Sequence, residues 1–496
     1  MIRAAAVIAF FVTASIAQAS PTPYAVAHYA VHTDRADAQR EFDEALTLLD
    51  SFNPQEAIRR FASAARRDPS LAMAQWGIAL AYGPDINTEY SLARAANARD
   101  ALARAHRLEG GASDVERALI AALDQRYAAH GQAEVEGAQR RYATAMGDVV
   151  KRFPGDLEAA TLYAESLMDL QPWNTWSTDG KPAGETPRVL EILRGILERD
   201  PGAIQANHLF IHAIEASPHP EEGLASARRL AALRLEPGAE HLVHMPAHIF
   251  DRTGDYEDAI RASNDAIAHF REYLRRAHAA GHEGYLWHDA GVLVTAQMSA
   301  GSFRAALATA RRDPLVGDDV AALRVMERFH EWRALLSSGT SNAYGRALAY
   351  AATGEPDRAA ALVTKIDASD DKGKLSRTLV RAEILCARGH VADALPLFEE
   401  AVTQQDALGY GEPPEWYFPV RETLAARLMQ TGRAHDAQRV AAAELRRDPG
   451  NPRALFLAAR ALDAIGAPEA DRKAASQAFH TAWANADRPL VIEDLY

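Results

Sequence analysis

A short stretch of the chain, between Asn207 and Asp251, concentrates side chains of the types that bind transition metals. Several imidazoles and a carboxylate occur there, and one more histidine follows downstream. The candidate ligands are His208, His212, Glu215, His241, His244, His248 and His288. Neutral imidazoles together with a carboxylate suit Zn, Cu, Fe or Ni rather than Ca or Mg. The residue types of this stretch therefore predict a transition-metal site.

The spacing of the histidines places them in pairs on common helix faces. Residues three or four apart face the same side of a helix, so His208 and His212 form one pair and His244 and His248 another. Two imidazoles one turn apart can reach one ion at about 2.0–2.1 Å. Packed helix axes lie about 8–10 Å apart, so ligands from neighbouring helices can meet between them. We therefore expect both pairs to converge on one spot.

A proline interrupts the second pair. Pro246 lies between His244 and His248, and a proline inside a helix removes a hydrogen bond and kinks the chain. If a helix instead begins near Pro246, His241 and His244 lie on the turn that precedes it, and His248 is the more secure ligand. The sequence leaves both arrangements open.

The elements that must position these residues repeat with a period of about 34 residues. Small residues recur where the two helices of a hairpin approach closely, as Ala247, Gly254 and Ala259 do in one copy. Such a hairpin cannot bury its apolar face alone, so copies stack into a solenoid. The predicted fold class is all-α, a right-handed superhelix of about nine or ten tetratricopeptide-like hairpins. The candidate ligands fall on the first helices, which line the concave groove of such a solenoid.

The order of segments along the chain predicts an exported protein. Residues 1–19 are typical of a signal peptide that ends in Ala17-Gln18-Ala19. We predict an extension at 20–35, an N-terminal array with the histidine groove at 36–312, an irregular connector at 313–340, and a C-terminal array at 341–496. Because Cys386 is the only cysteine, no internal disulfide can form. The expected location is the periplasm or the extracellular space.

Composition and missing motifs exclude several classes of protein. The net charge of -13 argues against binding to nucleic acid, whose phosphates need a basic face. No apolar stretch of the mature chain is long enough to span a membrane. His282-Glu283 is followed by Leu286 where a zincin motif needs histidine, and no dinucleotide or hydrolase-elbow motif is present.

Four segments of the chain resemble a family of bacterial tetratricopeptide-repeat proteins whose biochemical role is unassigned. They are 42–80, 161–176, 207–221 and 241–260, and the last two contain the phrases NHLFIHAIEASPHPE and HLVHMPAHIF. The resemblance covers roughly residues 35–310. It implies a groove that carries His208, His212, Glu215, His219, His241, His244, His248 and His288. The chain has Gly291 and Gln75 where the family commonly has further histidines.

Three functions remain open at this stage. The first is an exported scaffold that binds a protein, peptide or small ligand in a groove around a transition-metal ion. The second is a metal-dependent hydrolase or oxidoreductase, in which Glu215 is a ligand or the general base and the loop at 171–186 forms a lid. The third is a metal-free interaction scaffold, the commonest use of a solenoid.

Overall fold

The computed structural model describes residues 24–277, 284–312 and 319–496, so the predicted signal peptide at 1–19 lies outside the described residues. Within these ranges the chain forms α-helices joined by turns and short 3-10 segments, and no β-strand occurs. No helix among the described residues is long and apolar enough to cross a bilayer. The predicted all-α class is confirmed.

Twenty-five α-helices occupy the described ranges. Those of the first half are α1 (Ala36–Asp50), α2 (Pro54–Arg67), α3 (Ala72–Ala81), α4 (Leu92–Leu108), α5 (Asp114–Arg126), α6 (Val135–Arg152), α7 (Leu157–Met168), α8 (Thr186–Arg199), α9 (Ile204–Ile214), α10 (Leu224–Ala231), α11 (Glu240–His244), α12 (Pro246–Thr253) and α13 (Tyr256–Ala277). Those of the second half are α14 (Gly284–Ser299), α15 (Phe303–Arg312), α16 (Asp319–Arg328), α17 (Trp332–Ser337), α18 (Ala343–Ala352), α19 (Pro356–Ala360), α20 (Asp371–Ala387), α21 (Val391–Ala407), α22 (Val420–Gln430), α23 (Ala434–Arg447), α24 (Pro452–Ala464) and α25 (Glu469–Ala482).

The described helices form twelve successive antiparallel-hairpin units, with α11 and α12 together taking the first position of the sixth. First helices of adjacent units contact one another, as α1 does α3 and α14 does α16, and they make one layer of a helical solenoid. Not every unit matches the repeat of about 34 residues from which nine or ten copies were expected. Units such as α16–α17 and α18–α19 have second helices too short to carry the spacing of the repeat.

Local residues fix where the helices begin and end. Asn53 caps α2 by accepting a hydrogen bond from the Glu56 amide, and Pro54 occupies the first turn. Gly254 ends α12 with a φ of 80°, in the left-handed region that glycine tolerates best. A Cβ at Gly254 would also lie 2.3 Å from the Cα of Gly450, because the C-terminal units press against this turn.

Proline 246 opens a helix rather than kinking one. The helix α12 begins at Pro246, where the absent amide hydrogen has no helical partner to lose, and the short α11 ends at His244. His241 and His244 therefore precede the helix that carries His248, which is the second of the two arrangements that the sequence left open.

The N-terminal units curl until α1 contacts α9 across the hollow. Asn53 donates from Nδ2 to the carbonyl of Gly238 at 3.0 Å, which ties the first unit to the sixth. The extension before α1 lies inside this curl, and three side chains of α1 spaced four residues apart accept hydrogen bonds from its backbone amides. The pairs are Thr47 with Ala27, Asp43 with Tyr29, and Gln39 with Val31.

The C-terminal units return to contact the middle of the chain. Arg252 donates to the carbonyl of Arg447 at 3.1 Å, and the buried Arg453 donates to the carbonyl of Met298 at 3.0 Å. The segment predicted as an irregular connector, 313–340, contains α16 and α17. The division of the chain into two arrays stays a prediction.

Candidate metal centre

Three imidazoles from two neighbouring units meet beneath the turn that follows α1. His208 and His212 lie one turn apart on α9, and His241 comes from α11. One ligand atom from each lies within 4.8 Å of the other two, and all three side chains are buried. We call this group the first triad.

The spacing inside the first triad matches the edge of a coordination polyhedron. The Nε2 atoms of His212 and His241 are 3.3 Å apart. Two ligands held at about 2.0–2.1 Å in tetrahedral geometry lie about 3.3–3.4 Å from each other. The two nitrogens can therefore share one ion with little movement of either ring.

A second triad lies next to the first. His244 of α11, His248 of α12 and His288 of α14 also place one ligand atom each within 4.8 Å of the others. The ring centroids of His244 and His248 are 4.5 Å apart, and those of His244 and His288 are 4.8 Å apart. The rings of His241 and His244 lie 6.3 Å apart, so the two triads are direct neighbours.

Two carboxylates adjoin His248 and connect the triads. Glu215, at the end of α9, forms a third group of possible ligands with His248 and Glu412, again within 4.8 Å. Glu215 also lies 3.0 Å from Nδ1 of His212, so it contacts both triads. Glu412 comes from the loop between α21 and α22, which means that the C-terminal units complete the site.

Outer partners fix the orientation of the imidazoles. Nδ1 of His208 donates to Gln205 at 2.9 Å and Nδ1 of His212 to Glu215 at 3.0 Å. In the second triad Nδ1 of His248 lies 2.9 Å from Glu412 and His288 donates to the backbone of Glu412. His244 is the exception, because its Nδ1 lies 3.0 Å from Asp289 without forming a hydrogen bond. A partner on one nitrogen leaves the other for an ion, the usual pattern of metal-bound histidine.

Several buried polar atoms of the site have no hydrogen-bond partner among the described residues. They include Nε2 of His208, Nε2 of His244 and Oε2 of Glu215. Leaving such groups unsatisfied costs about 1–3 kcal/mol each, and native proteins rarely tolerate several together. A cation at each triad would satisfy these atoms, so the donor set fits a transition metal.

Burial keeps the imidazoles in the form that binds metals. Burial lowers the pKa of His208 to about 3 and that of His288 to about 4, and the nearby His248 adds to both effects. The pKa values of His212, His241 and His244 also fall well below the ordinary value, first through burial and then through neighbouring imidazoles. Neutral rings release no proton on binding a metal at pH 7.

The pKa values of the two carboxylates shift in opposite directions. Burial and the adjacent Glu412 raise the pKa of Glu215 well above its usual range. Burial acts in the same direction on Glu412, but His248 and a hydrogen bond from Tyr410 outweigh it and lower the pKa of Glu412. Glu412 is therefore the ionised member of the pair, and Glu215 holds the proton when no cation is close.

The first triad is enclosed on two sides by aromatic rings. Phe52 stacks over His241 with ring centroids 4.8 Å apart and also contacts His208 and His212. Trp173, from the loop at 171–186, meets His212 edge-on at 5.7 Å. The same loop is anchored to α9 by Trp176, whose Nε1 donates to the carbonyl of Ala213 at 2.8 Å. The loop therefore covers the site, as a lid would.

The second triad opens onto a cavity of about 590 Å³. His248 and Glu412 line it, together with Asp251, Arg252 and residues 177–180 of the covering loop. Of the six imidazoles in the two triads, His248 is the one that faces this space. A small molecule in the cavity would contact the second triad and not the first.

The predicted site residues divide between the two triads instead of forming one cluster. His208, His212 and His241 come together, as do His244, His248 and His288, while Glu215 lies between the triads. His212 and His248 fall in different triads, contrary to the expected single spot. His219, which the family resemblance included, is exposed and pairs with Glu221 at 3.1 Å outside the site. Glu412, Asp289 and Phe52 were not identified from the sequence.

Comparisons with known proteins name no family for this chain. No family model matches it, and no curated protein matches it. Among solved structures, human IFIT1 in a dimer with m7Gppp-AAAA is 14% identical, with 91% of this chain and 90% of that chain covered at a TM-score of 0.33. The Cut9–Hcn1 complex is 12% identical, with coverage of 75% and 73% and a TM-score of 0.32. Similarity this low carries no argument about function.

Proposed function

We propose that this chain is an exported helical-repeat protein that binds transition-metal ions at its two histidine triads and a ligand in the adjoining cavity. Zn, Cu and Fe are the candidate metals, since neutral imidazoles with one or two carboxylates suit all three. The cavity favours a small molecule or a short peptide as the ligand. The extension at 24–35 already pairs with the inner helix α1, where a longer peptide would lie.

The observation that carries the proposal is the 3.3 Å separation of Nε2 of His212 and Nε2 of His241, which come from different units. One neutral imidazole can donate its N–H to the other at this distance, but that bond leaves the buried Nε2 of His208 in the same triad without a partner. Both rings are neutral, because burial lowers the pKa of each well below the ordinary value. A metal ion binds both nitrogens at once.

Metal analysis of purified protein tests the proposal. We expect about two metal equivalents per chain in the wild type and about one after His241→Gln or His288→Gln, because each triad holds its own ion. His219→Gln, an exposed histidine from the same stretch, is the matched control and should retain the wild-type content. If the variant with both His241→Gln and His288→Gln binds as much metal as the wild type, the site is a metal-free polar groove and the third hypothesis stands.

A metal-dependent hydrolase or oxidoreductase is the second candidate function. It is favoured by the second triad, since three histidines with a position open to a cavity are the ligand arrangement of catalytic sites. A metal bound there would supply Lewis-acid or redox chemistry. Glu215 would accept or donate the proton, because its raised pKa keeps it protonatable near neutral pH. The loop at 171–186 would exclude water from the covered side.

The enzyme proposal is tested by separating metal binding from turnover. The chain reconstituted with Zn, Cu or Fe would be assayed with nitrophenyl esters, nitrophenyl phosphate and an oxygen electrode. We expect Glu215→Gln to hold two metal equivalents at saturating metal while it lowers turnover at least about a hundredfold. If turnover falls equally in Glu215→Gln and in the control Glu221→Gln, Glu215 has no catalytic role and the metal only organises the scaffold.

Export to the periplasm or beyond is part of the same proposal and rests on residues 1–19. Expression of the full chain in a Gram-negative host, followed by cell fractionation and N-terminal sequencing, tests it. We expect the mature chain to begin at Ser20 in the periplasmic fraction. If the chain is found in the cytoplasm and still begins at Met1, the proposed export is wrong, and the proposed metal binding is unaffected.

A further inference from the structure

A second large cavity lies in the hollow of the C-terminal units, away from the histidines. Its volume is about 470 Å³, and the inner helices α16, α18, α20 and α22 supply its walls. None of the seven predicted metal ligands lines it. The loop residues Tyr417 and Phe418 lie between this cavity and the one beside the second triad, because they line both.

The cavity contains a buried carboxylate that has no cationic partner. Glu327 of α16 is buried and forms no ion pair with any residue that the structure describes. Burial raises the pKa of Glu327 to about 7, against the opposing effects of a hydrogen bond from Tyr417 and the charge of Arg324. Arg324 is exposed, so it acts on Glu327 from outside the cavity.

The two arginines on the cavity wall are already neutralised. Arg328 forms a bidentate ion pair with Glu422, in which Nη1 lies 2.5 Å from Oε2 and Nη2 lies 3.0 Å from Oε1. Arg427 forms an ion pair with Glu383 and lies over the ring of Tyr496 at 4.3 Å. Because both guanidinium groups are paired with other carboxylates, neither of them balances the negative charge of the Glu327 carboxylate on the inner wall.

Aromatic rings surround this charge. The hydroxyl of Tyr344 lies 3.4 Å from that of Tyr417, and Tyr417 in turn hydrogen-bonds to Glu327. Trp332 and Phe418 also line the cavity. Aromatic faces attract organic cations, and the attraction grows when water is excluded. A carboxylate beside such faces is a combination that selects an ammonium group with an apolar body.

Glycine at position 345 is what brings the carboxylate into the cavity. A Cβ at Gly345 would lie 2.2 Å from Oε1 of Glu327, so any larger residue on α18 would displace this oxygen. Gly345 is helical and buried, where alanine would stabilise the helix by roughly 0.5–1 kcal/mol. The close approach therefore serves the placement of Glu327 rather than the stability of α18.

We infer that the cavity between α16, α18, α20 and α22 is a binding site for a small organic ammonium compound whose charged group contacts Glu327 and whose apolar body lies among Trp332, Tyr344 and Tyr417. The site does not depend on the metal centre, since its residues are separate from both triads.

Calorimetry on the full chain with two probes of equal size tests this inference. We expect 2-phenylethylammonium to bind at least about tenfold more tightly than 2-phenylethanol, because only the former neutralises Glu327. Glu327→Gln should remove that preference, and the exposed Glu399→Gln should leave it unchanged. The histidine variants of the two triads should bind the ammonium probe as the wild type does, which separates this site from the metal centre.

A second variant protects the test against misfolding of Glu327→Gln. Ala352 lines the cavity from an exposed position, so Ala352→Trp narrows the entrance without disturbing the core and should weaken the ammonium probe by about tenfold. The inference is overturned if the wild type fails to bind 2-phenylethylammonium at about 10 mM, a very weak affinity. It is also overturned if both probes bind equally, or if neither variant changes binding.

Discussion

His212 and His241 bring their Nε2 atoms to 3.3 Å although one belongs to α9 and the other to α11 of the next unit. The contact joins two units through side chains that are both buried and that repel each other when protonated. An ion at this place would therefore link the units as well as fill the site.

Removal of metal should destabilise the chain. A ligand at about a hundredfold excess over its dissociation constant stabilises the folded state by about 2.7 kcal/mol. We expect chelation to lower the melting temperature of the wild type by several degrees, measured by calorimetry, and re-addition of the metal to restore it. His219→Gln should behave as the wild type does, whereas His241→Gln with His288→Gln should melt at the same temperature with and without chelator.

Glu412 should connect metal binding to the position of the C-terminal units. Its carboxylate lies 2.9 Å from Nδ1 of His248, and loss of such an outer partner usually weakens metal affinity by about 10- to 100-fold. We expect Glu412→Gln to weaken the second triad by that amount and to leave the first unchanged, as measured by competition with a chromogenic chelator. The rate of amide hydrogen exchange should also rise in residues 408–418, the loop that carries Glu412.

The control for Glu412 lies on the same loop. Glu415 is exposed and pairs with Lys372 at 2.6 Å instead of with a histidine. Glu415→Gln should change neither the metal affinity nor the exchange of the loop. If both variants weaken the metal equally, the loop acts through its general packing and Glu412 has no specific role.

Phe52 should stabilise the first triad at a cost in backbone conformation. Its φ is 53°, which a residue with a side chain adopts with strain, and its ring packs on three imidazoles. We expect Phe52→Ala to destabilise the chain by about 3–5 kcal/mol in urea unfolding, as loss of a buried ring generally does. Phe52→Gly should be less harmful by roughly 1 kcal/mol, because it relieves the strain that alanine keeps.

Two outcomes for Phe52→Gly and Phe52→Ala would contradict this role of Phe52. If Phe52→Gly is more destabilised than Phe52→Ala, the left-handed conformation carries no strain here. If neither variant loses stability, the ring does not support the triad, and metal content should then be unchanged as well.

The stability of the contact between the middle and C-terminal units should depend on pH through Asp448. Burial and the nearby Asp251 raise the pKa of Asp448 to about 7 from an ordinary value near 4. The folded chain therefore binds a proton that the unfolded chain has lost. The stability that this proton gives is complete below about pH 4 and disappears as the pH rises through about 7.

Substitution of Asp448 isolates this effect from that of other groups. Asp448→Asn should gain stability relative to the wild type by roughly 1–3 kcal/mol between pH 5 and pH 8, because asparagine carries no charge to bury. The exposed Asp393→Asn should show no such change. An unchanged difference between Asp448→Asn and the wild type across this range would contradict the prediction.

The sequence predicted the fold class and the two one-turn histidine pairs, because both depend on local spacing. His208 and His212 share a helix face, and the structure puts them in one triad. The single cluster was wrong because His241 and His244, three residues apart on α11, contact different neighbours. His241 joins His208 and His212 of α9, whereas His244 joins His248 and His288.

Among the site residues that were not identified from the sequence, one has a local sequence signal and two have none. Asp289 follows His288 directly, and a carboxylate beside a candidate ligand is a signal that could have been used. Glu412 comes from an irregular loop of the C-terminal units, and its approach to His248 depends on how the solenoid curls. Phe52 depends on the same curl, which no spacing within a repeat encodes.

The extension at 24–35 has a consequence for how the chain acquires its shape during synthesis. The amide of Ala25 donates to the carbonyl of Arg234, and the amide of His32 donates to Glu116. The segment can pair with α1 as soon as the first hairpin forms, but these two contacts need the third and fifth hairpins. Completion of its contacts is then a late event, and the histidines of α9 and α11 become shielded from solvent only as assembly of the first six units finishes.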